Sequence, residues 1–441
     1  MSSLALILQN LRSTYSHQPM FLQAVDEVFV SLAPYLEVVD TTPYDYTLLE
    51  RLLIPERVIT FKVLWSDDKG NIQHNLGYRV QFNSALGPYK GGLRFDATVN
   101  EDVLKFLAFE QTLKNALTGL PLGGGKGGSD FSPKDKSDNE IRNFCRAFMI
   151  ELHRYIGIDV DVPAGDMGVA GREIGYMMGM YKELTRSSEG VMTGKDSLIG
   201  GSFGRTEATG HGVVYFARAM LRETGKTLSG MKCVVSGSGN VAEHTARKLE
   251  AEGAVVLTMS DRTGYVYKSF GLTTFDIDTI IKHKDTGANL DTLSLEGAEF
   301  SADAPWQKVV ADAYFPCATQ NEISEADAKV IAKHAELVVE GANMPLNNKA
   351  IAVLHEAHIP HAPGKASNAG GVAVSGLEMA QNASHYPWTR EVVEEKLVEI
   401  MENIHAECAK EGREDWGINY VKGANVAGVK RVLSAMERLG W

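Results

Sequence analysis

The stretch of sequence that decides the fold is KCVVSGSGNVA, residues 232–242. Its apolar start, Lys232–Ser236, has the composition of a buried strand and runs directly into the pattern G-x-G-x-x-A. Gly237 would make a tight turn, Gly239 would let the backbone approach a pyrophosphate, and Ala242 would let the following helix pack on the sheet. An ordinary strand–helix turn is the alternative, but this context favours a dinucleotide-binding βαβ unit.

From about residue 230 the chain alternates between short apolar strands and helical stretches, which predicts a parallel sheet with crossover helices. Each predicted strand ends in a loop that contains Gly, Pro, Asn or Ser, and open α/β sheets bind ligands at such ends. A long helix is predicted from Thr389 to about Ala409, and a last one from Asn425 to Leu439. The predicted strands are Lys232–Ser236, Ala254–Met259, Val309–Phe315, Glu336–Glu340 and Ile359–Ala362.

The residues after the second predicted strand bear on the choice between NAD and NADP. Asp261 lies about 20 residues past the glycine pattern, where an acid would bond the ribose hydroxyls of NAD. Ser260 and Arg262 would instead suit the 2′-phosphate of NADP. From the residues alone, both readings remain open.

The first part of the chain predicts a second domain of different construction. Residues up to about 55 predict mainly helix, and the segments Val58–Trp65 and Ile72–Phe82 flank a turn and predict a β-hairpin. Asn100 is a good N-cap for the helix that follows. We place the domain boundary in the Gly-rich segment 200–204, whose glycines are equally consistent with a hinge and with a plain loop.

Three lysines stand out in this first part. Lys90 and Lys126 lie in Gly-rich segments, and Lys114 lies one helical turn from Gln111. Any single lysine is most often simply solvated. Lys126 differs because glycines surround it in 123–128, and the residue after it is neither Ser nor Thr, which excludes a P-loop. A lysine that is desolvated or crowded by cations loses its proton more readily and can act in acid–base catalysis.

Other polar residues were weighed for chemistry. Asp166 lies in a predicted tight turn, either as a proton carrier or as a structural Asx-turn. The spacing of His355 and His358 is one residue short of the helical zinc pattern, so no metal site is predicted. The four cysteines contain no C-x-x-C pair, so neither a disulfide framework nor a thiolate zinc site is expected.

The composition narrows the class of protein. The chain has 441 residues, 44% hydrophobic residues and a formal net charge of -12. An acidic chain is a poor partner for nucleic acid. No apolar run approaches the roughly 18 residues of a membrane span, and no signal peptide is evident at the N-terminus, so we expect a cytoplasmic protein without a membrane partner.

The motifs resemble those of hexameric glutamate dehydrogenases of bacteria and lower eukaryotes. The resemblance runs from about residue 50 to the end of the chain, with several motifs in the same order. The segments that carry it are Pro88–Phe95, Gly123–Asp130, Asp161–Gly168, Ser236–Ala242, Pro316–Asn321, Glu340–Pro345 and Asn368–Gln381.

This resemblance implies an enzyme of ammonium assimilation that interconverts 2-oxoglutarate, ammonium and L-glutamate as a homohexamer. NADP is favoured over NAD because Ser260 and Asp261 look like the NADP-using members. The implied fold is α/β: an N-terminal α/β substrate and oligomerisation domain at 1–200, and a Rossmann-like doubly wound domain at 201–419. A cleft separates the two domains, and a C-terminal helix, 420–441, packs back on the first.

The resemblance also implies roles for single residues. Lys126 matches the catalytic amine and Asp166 the acid that shuttles protons, while Lys90 and Ser375 match positions that bind the side-chain carboxylate. The positions implied at the α-carboxylate are Gln111, Lys114 and Gly165. The predicted cofactor contacts are Gly237, Gly239, Val241, Ser260 and Arg262 from the motif and its surroundings, and Thr209, Asn240, Ala318, Thr319 and Asn343 from the resemblance.

Two other readings have specific requirements. A leucine-, valine- or phenylalanine-type dehydrogenase of the same superfamily would need an apolar pocket where Lys90 and Ser375 stand. A non-catalytic NADP-binding sensor would be expected to lack Lys126 or Asp166, and both are present.

Overall fold

The computed structural model of the chain describes residues 3–38 and 43–441. None of the helices in this part of the chain is long and apolar enough to span a membrane. The helices are α1 (Ser3–Thr14), α2 (Pro19–Val38), α3 (Pro43–Leu52), α4 (Glu101–Leu117), α5 (Asp138–Leu152), α6 (Gly171–Thr185), α7 (Ala208–Arg222), α8 (Asn240–Ala251), α9 (Thr274–Asp285), α10 (Glu325–Ile331), α11 (Asn348–Glu356), α12 (Gly364–Ser367), α13 (Gly370–Ser384), α14 (Arg390–Gly412) and α15 (Tyr420–Leu439). The strands are β1 (Arg57–Ser66), β2 (Ile72–Asn83), β3 (Tyr89–Phe95), β4 (Gly124–Ser129), β5 (Asp161–Gly165), β6 (Lys232–Val235), β7 (Val255–Asp261), β8 (Gly264–Tyr267), β9 (Glu299–Ser301), β10 (Ala313–Phe315), β11 (Leu337–Val339), β12 (His361–Ala362), β13 (Arg413–Glu414) and β14 (Gly417–Ile418).

The chain forms two compact units, each with most of its contacts within itself, and each unit contains its own main sheet. Three helices, α13, α14 and α15, contribute residues to both units. The first unit comprises the described residues up to 203 with 374–393 and 425–441, and the second comprises 204–373 and 394–424.

These boundaries correct the predicted second domain, 201–419. Residues 374–393 pack within the first unit, where Glu378 forms a buried ion pair with Lys195, Nζ to Oε1 2.7 Å. Only the part of the last helix from residue 425 onward lies in the first unit. Hydrophobic periodicity predicts that a segment is helical, but it does not say which sheet the helix packs against.

The first unit is a five-stranded sheet, in the order β1-β2-β4-β3-β5, between layers of helices. The predicted hairpin is present as β1 and β2. The helix α5 packs through Phe144, whose ring lies 5.0 Å from that of Phe95 on β3. The helix α4 packs through Phe109, whose ring lies 5.6 Å from that of Phe82 on β2. The sheet is therefore buried by aromatic contacts from both helices.

The second unit is a doubly wound sheet in the order β12-β11-β10-β6-β7-β8-β9. The first five strands are parallel, and β8 and β9 are antiparallel additions. The strand order reverses between β6 and β10, and open α/β sheets bind ligands in the crevice at such a point. All five predicted strands are present. Of the predicted strand Val309–Phe315, only Ala313–Phe315 is a strand. The Tyr314 hydroxyl donates to the carbonyl of Val309 and accepts from the N–H of Ala311, so these two backbone groups bond to a side chain instead of to a neighbouring strand.

A buried lysine joins the N-terminal helices to α4 in the first unit. Lys105 is 2% exposed. Its Nζ donates to Gln18 Oε1 at 3.0 Å and lies 3.1 Å from the ring centroid of Tyr15 and 4.2 Å from that of Phe21. Burial lowers the pKa of Lys105 to about 8, against the opposing effect of Glu101 and Asp102.

This environment predicts a stability that depends on pH. Between pH 8 and 10.5 the unfolded chain binds a proton at Lys105 that the folded chain has lost, so stability rises with pH in that window. Between pH 7.5 and 9.5, the free energy of unfolding of the wild type should rise by up to about 2 kcal/mol relative to that of Lys105→Met. Urea unfolding at both pH values measures this, with the exposed Lys134→Met as control. A difference that is the same at both pH values would contradict the prediction.

Candidate active site

The first candidate site lies where β3, β4 and β5 run side by side. Leu93 of β3 pairs with Gly127 of β4 and with Gly165 of β5. Lys126 precedes the first of these glycines and Asp166 follows the second, so the register places both beside β3. The Lys126 Nζ lies 3.1 Å from Asp166 Oδ2. The two residues predicted to be catalytic therefore form a direct ion pair.

A second cation, Arg94 of β3, contacts the same carboxylate, because its Nε donates to Asp166 Oδ2 at 2.9 Å. The sequence analysis missed Arg94. The available signal was strand alternation, which places residues 90 and 94 on one face. The Asx-turn reading of Asp166 is not supported. Within residues 3–38 and 43–441 its carboxylate bonds to Lys126 and Arg94 and to no backbone amide.

The charges of this cluster shift two pKa values. Burial lowers the pKa of Lys126 against the opposing effect of Asp166, and Arg94 and Arg79 lower it further. Burial alone would raise the pKa of Asp166, but Lys126 and Arg94 outweigh burial and hold it at about 2. At neutral pH the carboxylate is therefore ionised, and Lys126 holds its proton less tightly than an exposed lysine.

The strand that carries Lys126 is nearly free of other side chains. All six residues of β4 are buried. A Cβ at Gly124 would collide with the Thr112 hydroxyl, and a Cβ at Gly91 would collide with the carbonyl oxygen of Gly125. The sequence analysis predicted no strand here, because glycine has a low β propensity. Glycine is used because α4, β3 and β4 approach too closely for a side chain.

Two of the predicted substrate residues, Lys90 and Gln111, share a hydrogen-bond network. Lys90 on β3 is 2% exposed. Its carbonyl accepts from Asn115 Nδ2 at 2.9 Å, and Asn115 Oδ1 accepts from Gln111 Nε2 at 2.7 Å. Lys114 is half-buried on the same helix, and Gly165 ends β5. The sequence analysis missed Asn115, the buried amide that links Lys90 to Gln111.

The predicted residue Ser375 lies on α13 and is 2% exposed. One turn further along, Glu378 pairs with Lys195 and so holds the segment between α6 and α7 in place. Thr193 of that segment donates its N–H to Pro163 O at 3.0 Å, and its buried hydroxyl has no partner among the described residues. A buried hydroxyl without a partner beside β5 fits a polar ligand. No sequence motif marks Thr193.

The predicted dinucleotide loop lies in the second unit between β6 and α8. Gly237 has a φ of +88°, which favours glycine, and its N–H donates to Ser260 Oγ at 2.8 Å. The helix begins at Asn240 with Gly239 as its N-cap, so the amides of its first turn are available to a phosphate group. These residues fit a pyrophosphate. Thr209 lies in the first turn of α7 in the same unit.

Asp261, the alternative ribose ligand, is fully occupied within the protein. One oxygen accepts from the N–H and hydroxyl of Thr263 at 2.8 and 2.6 Å. The other accepts from Lys284 Nζ at 2.6 Å and from Leu290 N at 3.0 Å. A carboxylate has about four acceptor sites, so none remains for a ribose hydroxyl. The exposed neighbour Arg262 and Ser260 therefore fit a 2′-phosphate better than Asp261 fits a ribose.

The other predicted cofactor residues follow β10 and β11, the two strands on one side of β6. Ala318 and Thr319 follow β10, and their N–H groups donate to Glu322 Oε1 at 3.1 and 3.3 Å. Asn343 follows β11, and its side-chain oxygen accepts from Asn368 at 3.1 Å. No sequence motif marks Glu322, and it is only in the structure that its burial, which raises its pKa to about 7, becomes visible. The carboxyl ends of β6, β10 and β11 therefore bring these predicted residues to one edge of the sheet.

Comparison with known proteins agrees with this geometry. Residues 55–183 match the family model of the Glu/Leu/Phe/Val dehydrogenase dimerisation domain, and residues 200–440 match that of Glutamate/Leucine/Phenylalanine/Valine dehydrogenase. The chain belongs to the Glu/Leu/Phe/Val dehydrogenase family.

Full-length relatives within this family are similar to the chain over nearly all of its length. An NADP-specific glutamate dehydrogenase of Psychrobacter is 52% identical, over 99% of each chain. An NAD(P)-specific glutamate dehydrogenase of Xylanibacter ruminicola is 51% identical, over 98% of each chain. The crystal structure of Plasmodium falciparum glutamate dehydrogenase is 45% identical, with a TM-score of 0.96, over 100% of this chain and 95% of that one. The family resemblance predicted from the motifs is confirmed.

The two histidines that were weighed as metal ligands have other contacts in this family member. The ring of His358 stacks on Trp416 with centroids 5.0 Å apart. The Asn419 amide bonds His355 Nε2 at 3.1 Å. Among the residues that the structure describes, no group of three or more His, Cys, Asp or Glu could hold a metal ion.

Proposed function

We propose that the chain is a glutamate dehydrogenase that reversibly converts 2-oxoglutarate and ammonia to L-glutamate with NADPH. The observation that carries the proposal is the Lys126–Asp166 ion pair at 3.1 Å, in a unit that also buries Lys90. The family resemblance assigns Lys90 and Ser375, both 2% exposed, to the substrate side chain, and an ammonium with a hydroxyl suits a carboxylate rather than an apolar side chain. Glutamate therefore fits this chain better than leucine, valine or phenylalanine.

The substrate 2-oxoglutarate is a dianion, and the first unit offers cations for both of its ends. Lys90 and Ser375 would hold the distal carboxylate, with a charge and an oriented hydroxyl. The hydroxyl of Thr193, which has no partner among the described residues, would be a further donor to the substrate. The α-carboxylate would bind Lys114, Gln111 and the backbone of Gly165. Fixing both ends sets the position of the carbonyl carbon between them.

The Lys126–Asp166 pair would then stabilise the charge that develops at that carbonyl and transfer protons there. Lys126 stabilises the charge that develops on the carbonyl oxygen while ammonia adds to the carbon. Asp166 carries protons as the carbinolamine loses water to become the iminium. NADPH, when bound, supplies the hydride that reduces this iminium carbon. Burial lowers the pKa of Lys126, which suits a lysine that releases its proton more readily than an exposed one.

The second unit would hold NADPH at the carboxyl ends of its central strands. The pyrophosphate would lie at the N-terminus of α8, over Gly237, Gly239, Asn240 and Val241. Thr209 would be a further cofactor contact, and Ala318, Thr319 and Asn343 would lie near the nicotinamide or its ribose. We assign the 2′-phosphate to Ser260 and Arg262, and this assignment is supported by the saturated carboxylate of Asp261.

Arg262→Ala should therefore weaken the use of NADPH selectively. Loss of a charge-assisted bond to the phosphate should cost about 1–3 kcal/mol in kcat/KM for NADPH. The value for NADH, which has no 2′-phosphate, should be nearly unchanged. Steady-state kinetics with each cofactor measure this, with the exposed Arg222→Ala of the same unit as control. An equal loss with both cofactors would remove Arg262 from the phosphate site.

We also propose that the chain assembles as a homohexamer and acts in the cytoplasm, without nucleic-acid or membrane partners. Assembly is supported by the description of the family model for residues 55–183, a dimerisation domain. The strand β1 ends its sheet and carries Leu64, 58% exposed, and β2 carries Ile72, 70% exposed. Such an edge is suited to contact with another subunit. The four buried free cysteines suit a reducing compartment.

One assay tests the proposed function. Oxidation of NADPH and of NADH is followed with 2-oxoglutarate plus ammonium, and again with 2-oxoisocaproate plus ammonium. We expect turnover with 2-oxoglutarate and a higher kcat/KM for NADPH. Preference for 2-oxoisocaproate would assign an apolar substrate, and no turnover with either oxo acid would favour a cofactor-binding protein that is not an enzyme.

A further inference from the structure

Two cations share one oxygen of Asp166. Arg94 Nε lies 2.9 Å and Lys126 Nζ lies 3.1 Å from Oδ2. The other oxygen, Oδ1, has no hydrogen-bond partner among the described residues. The carboxylate therefore has a bound side and an open side, and its orientation depends on the two cations.

The two cations are not equivalent. A guanidinium does not lose its proton in proteins, whereas the ammonium of a buried lysine can. If Lys126 were the only partner, loss of its proton would leave a buried carboxylate without a counter-ion, which is strongly unfavourable. With Arg94 on the same oxygen, the carboxylate keeps one cation when Lys126 is neutral.

We propose that Arg94 is the positioning residue of the proton-transfer site: it is the permanent counter-ion that fixes Oδ2 of Asp166 while Lys126 gains and loses its proton. The inference rests on the proposed function, since it assigns that proton exchange to Lys126 and Asp166. It assigns no substrate contact to Arg94. The open oxygen, Oδ1, is then the one that faces the reacting groups.

The sheet register supports this role. Arg94 follows Leu93, which pairs with both Gly127 of β4 and Gly165 of β5. Arg94 is therefore held by backbone pairing between the strand of Lys126 and the turn of Asp166. The side chain of Arg94 is 17% exposed. The other cation close to Lys126 is Arg79 of β2, and it is already bound to the buried carboxylate of Asp161.

The test compares Arg94→Gln and Arg94→Lys with wild type, using kcat–pH profiles, KM for 2-oxoglutarate and NADPH affinity by fluorescence. In Arg94→Gln, kcat should fall on the order of 10–100-fold with KM and NADPH affinity nearly unchanged. Arg94 lowers the pKa of both partners, so both limbs of the profile should move to higher pH. Arg94→Lys should keep the limbs near their wild-type positions and recover part of kcat.

Three results would overturn the inference. One is a kcat for Arg94→Gln within about threefold of wild type with unmoved limbs. Another is a raised KM with unchanged kcat, which would make Arg94 a substrate ligand. The third is a profile for Arg94→Lys that shifts as far as that of Arg94→Gln. The matched control is Arg146→Gln, whose half-buried arginine pairs with Glu183 instead of Asp166. If Arg94→Gln fails to fold, the kcat–pH profile of Arg94→Lys is the test: limbs that move away from their wild-type positions would overturn the inference. Wild type without turnover would instead refute the proposed function.

Discussion

Asp166→Ser should lose nearly all turnover while the protein remains folded. Serine keeps a short polar side chain in the turn but cannot carry a proton at neutral pH. The change also removes the charge that opposes burial at Lys126, so burial and Arg94 lower the pKa of Lys126 further. We expect kcat to fall on the order of 10³-fold.

The measurement is kcat at saturating 2-oxoglutarate, ammonium and NADPH, together with NADPH binding and the thermal midpoint. NADPH affinity should be close to that of wild type, because the proposed cofactor residues lie in the other unit. Asp159→Ser, which changes an exposed aspartate of the same unit, controls for the loss of a negative charge. A folded variant that turns over within tenfold of wild type would show that Asp166 is not the proton carrier.

Lys90→Leu with Ser375→Val should change which oxo acid the protein accepts. Both side chains are 2% exposed, and an ammonium with a hydroxyl favours a substrate carboxylate over an apolar side chain. Sites built around a buried polar partner reject substrates that lack that partner by factors of about 10⁴. The double variant should lose 2-oxoglutarate activity by about three orders of magnitude or more, and it should gain activity on 2-oxocaproate.

The decisive quantity is the ratio of kcat/KM for the two oxo acids. The two single variants show how each residue contributes, and Lys182→Leu with Ser188→Val makes the same changes at exposed positions of the same unit. If the double variant has the wild-type ratio, neither Lys90 nor Ser375 reads the substrate side chain. The choice of glutamate would then lose its main physical support.

The parallel strands of the second unit could be predicted from sequence because their burial makes them continuous apolar runs. The central strands of the first unit could not. Their positions in the sheet depend on the glycines of Gly124–Ser129 and on close backbone approach, for instance that of Gly91 to Gly125. A local pattern cannot show a property that arises from two segments distant in sequence.

The candidate site divides in the same way. Lys126 and Asp166 were predicted as separate features, and their contact depends on the register of β4 and β5 with Leu93. Strand alternation could have placed Arg94 on the same face as Lys90, but its contact with Asp166 arises only in three dimensions, and Thr193 has no local signal. The choice between Asp261 and a 2′-phosphate was open in the sequence. The donors Lys284 and Leu290, which occupy Asp261, lie more than 20 residues further along the chain.

The glycine strand β4 limits how this protein can drift in evolution. In an ordinary core, a larger side chain at one position can be offset by a smaller one at a neighbour. At Gly91 the atom that a side chain would meet is the backbone oxygen of Gly125, and no substitution removes a backbone oxygen. A larger residue at such a glycine near Lys126 therefore cannot be offset by a smaller residue at a neighbouring position. Variation should collect on the exposed surface, while the segment that holds the lysine accepts almost no replacement.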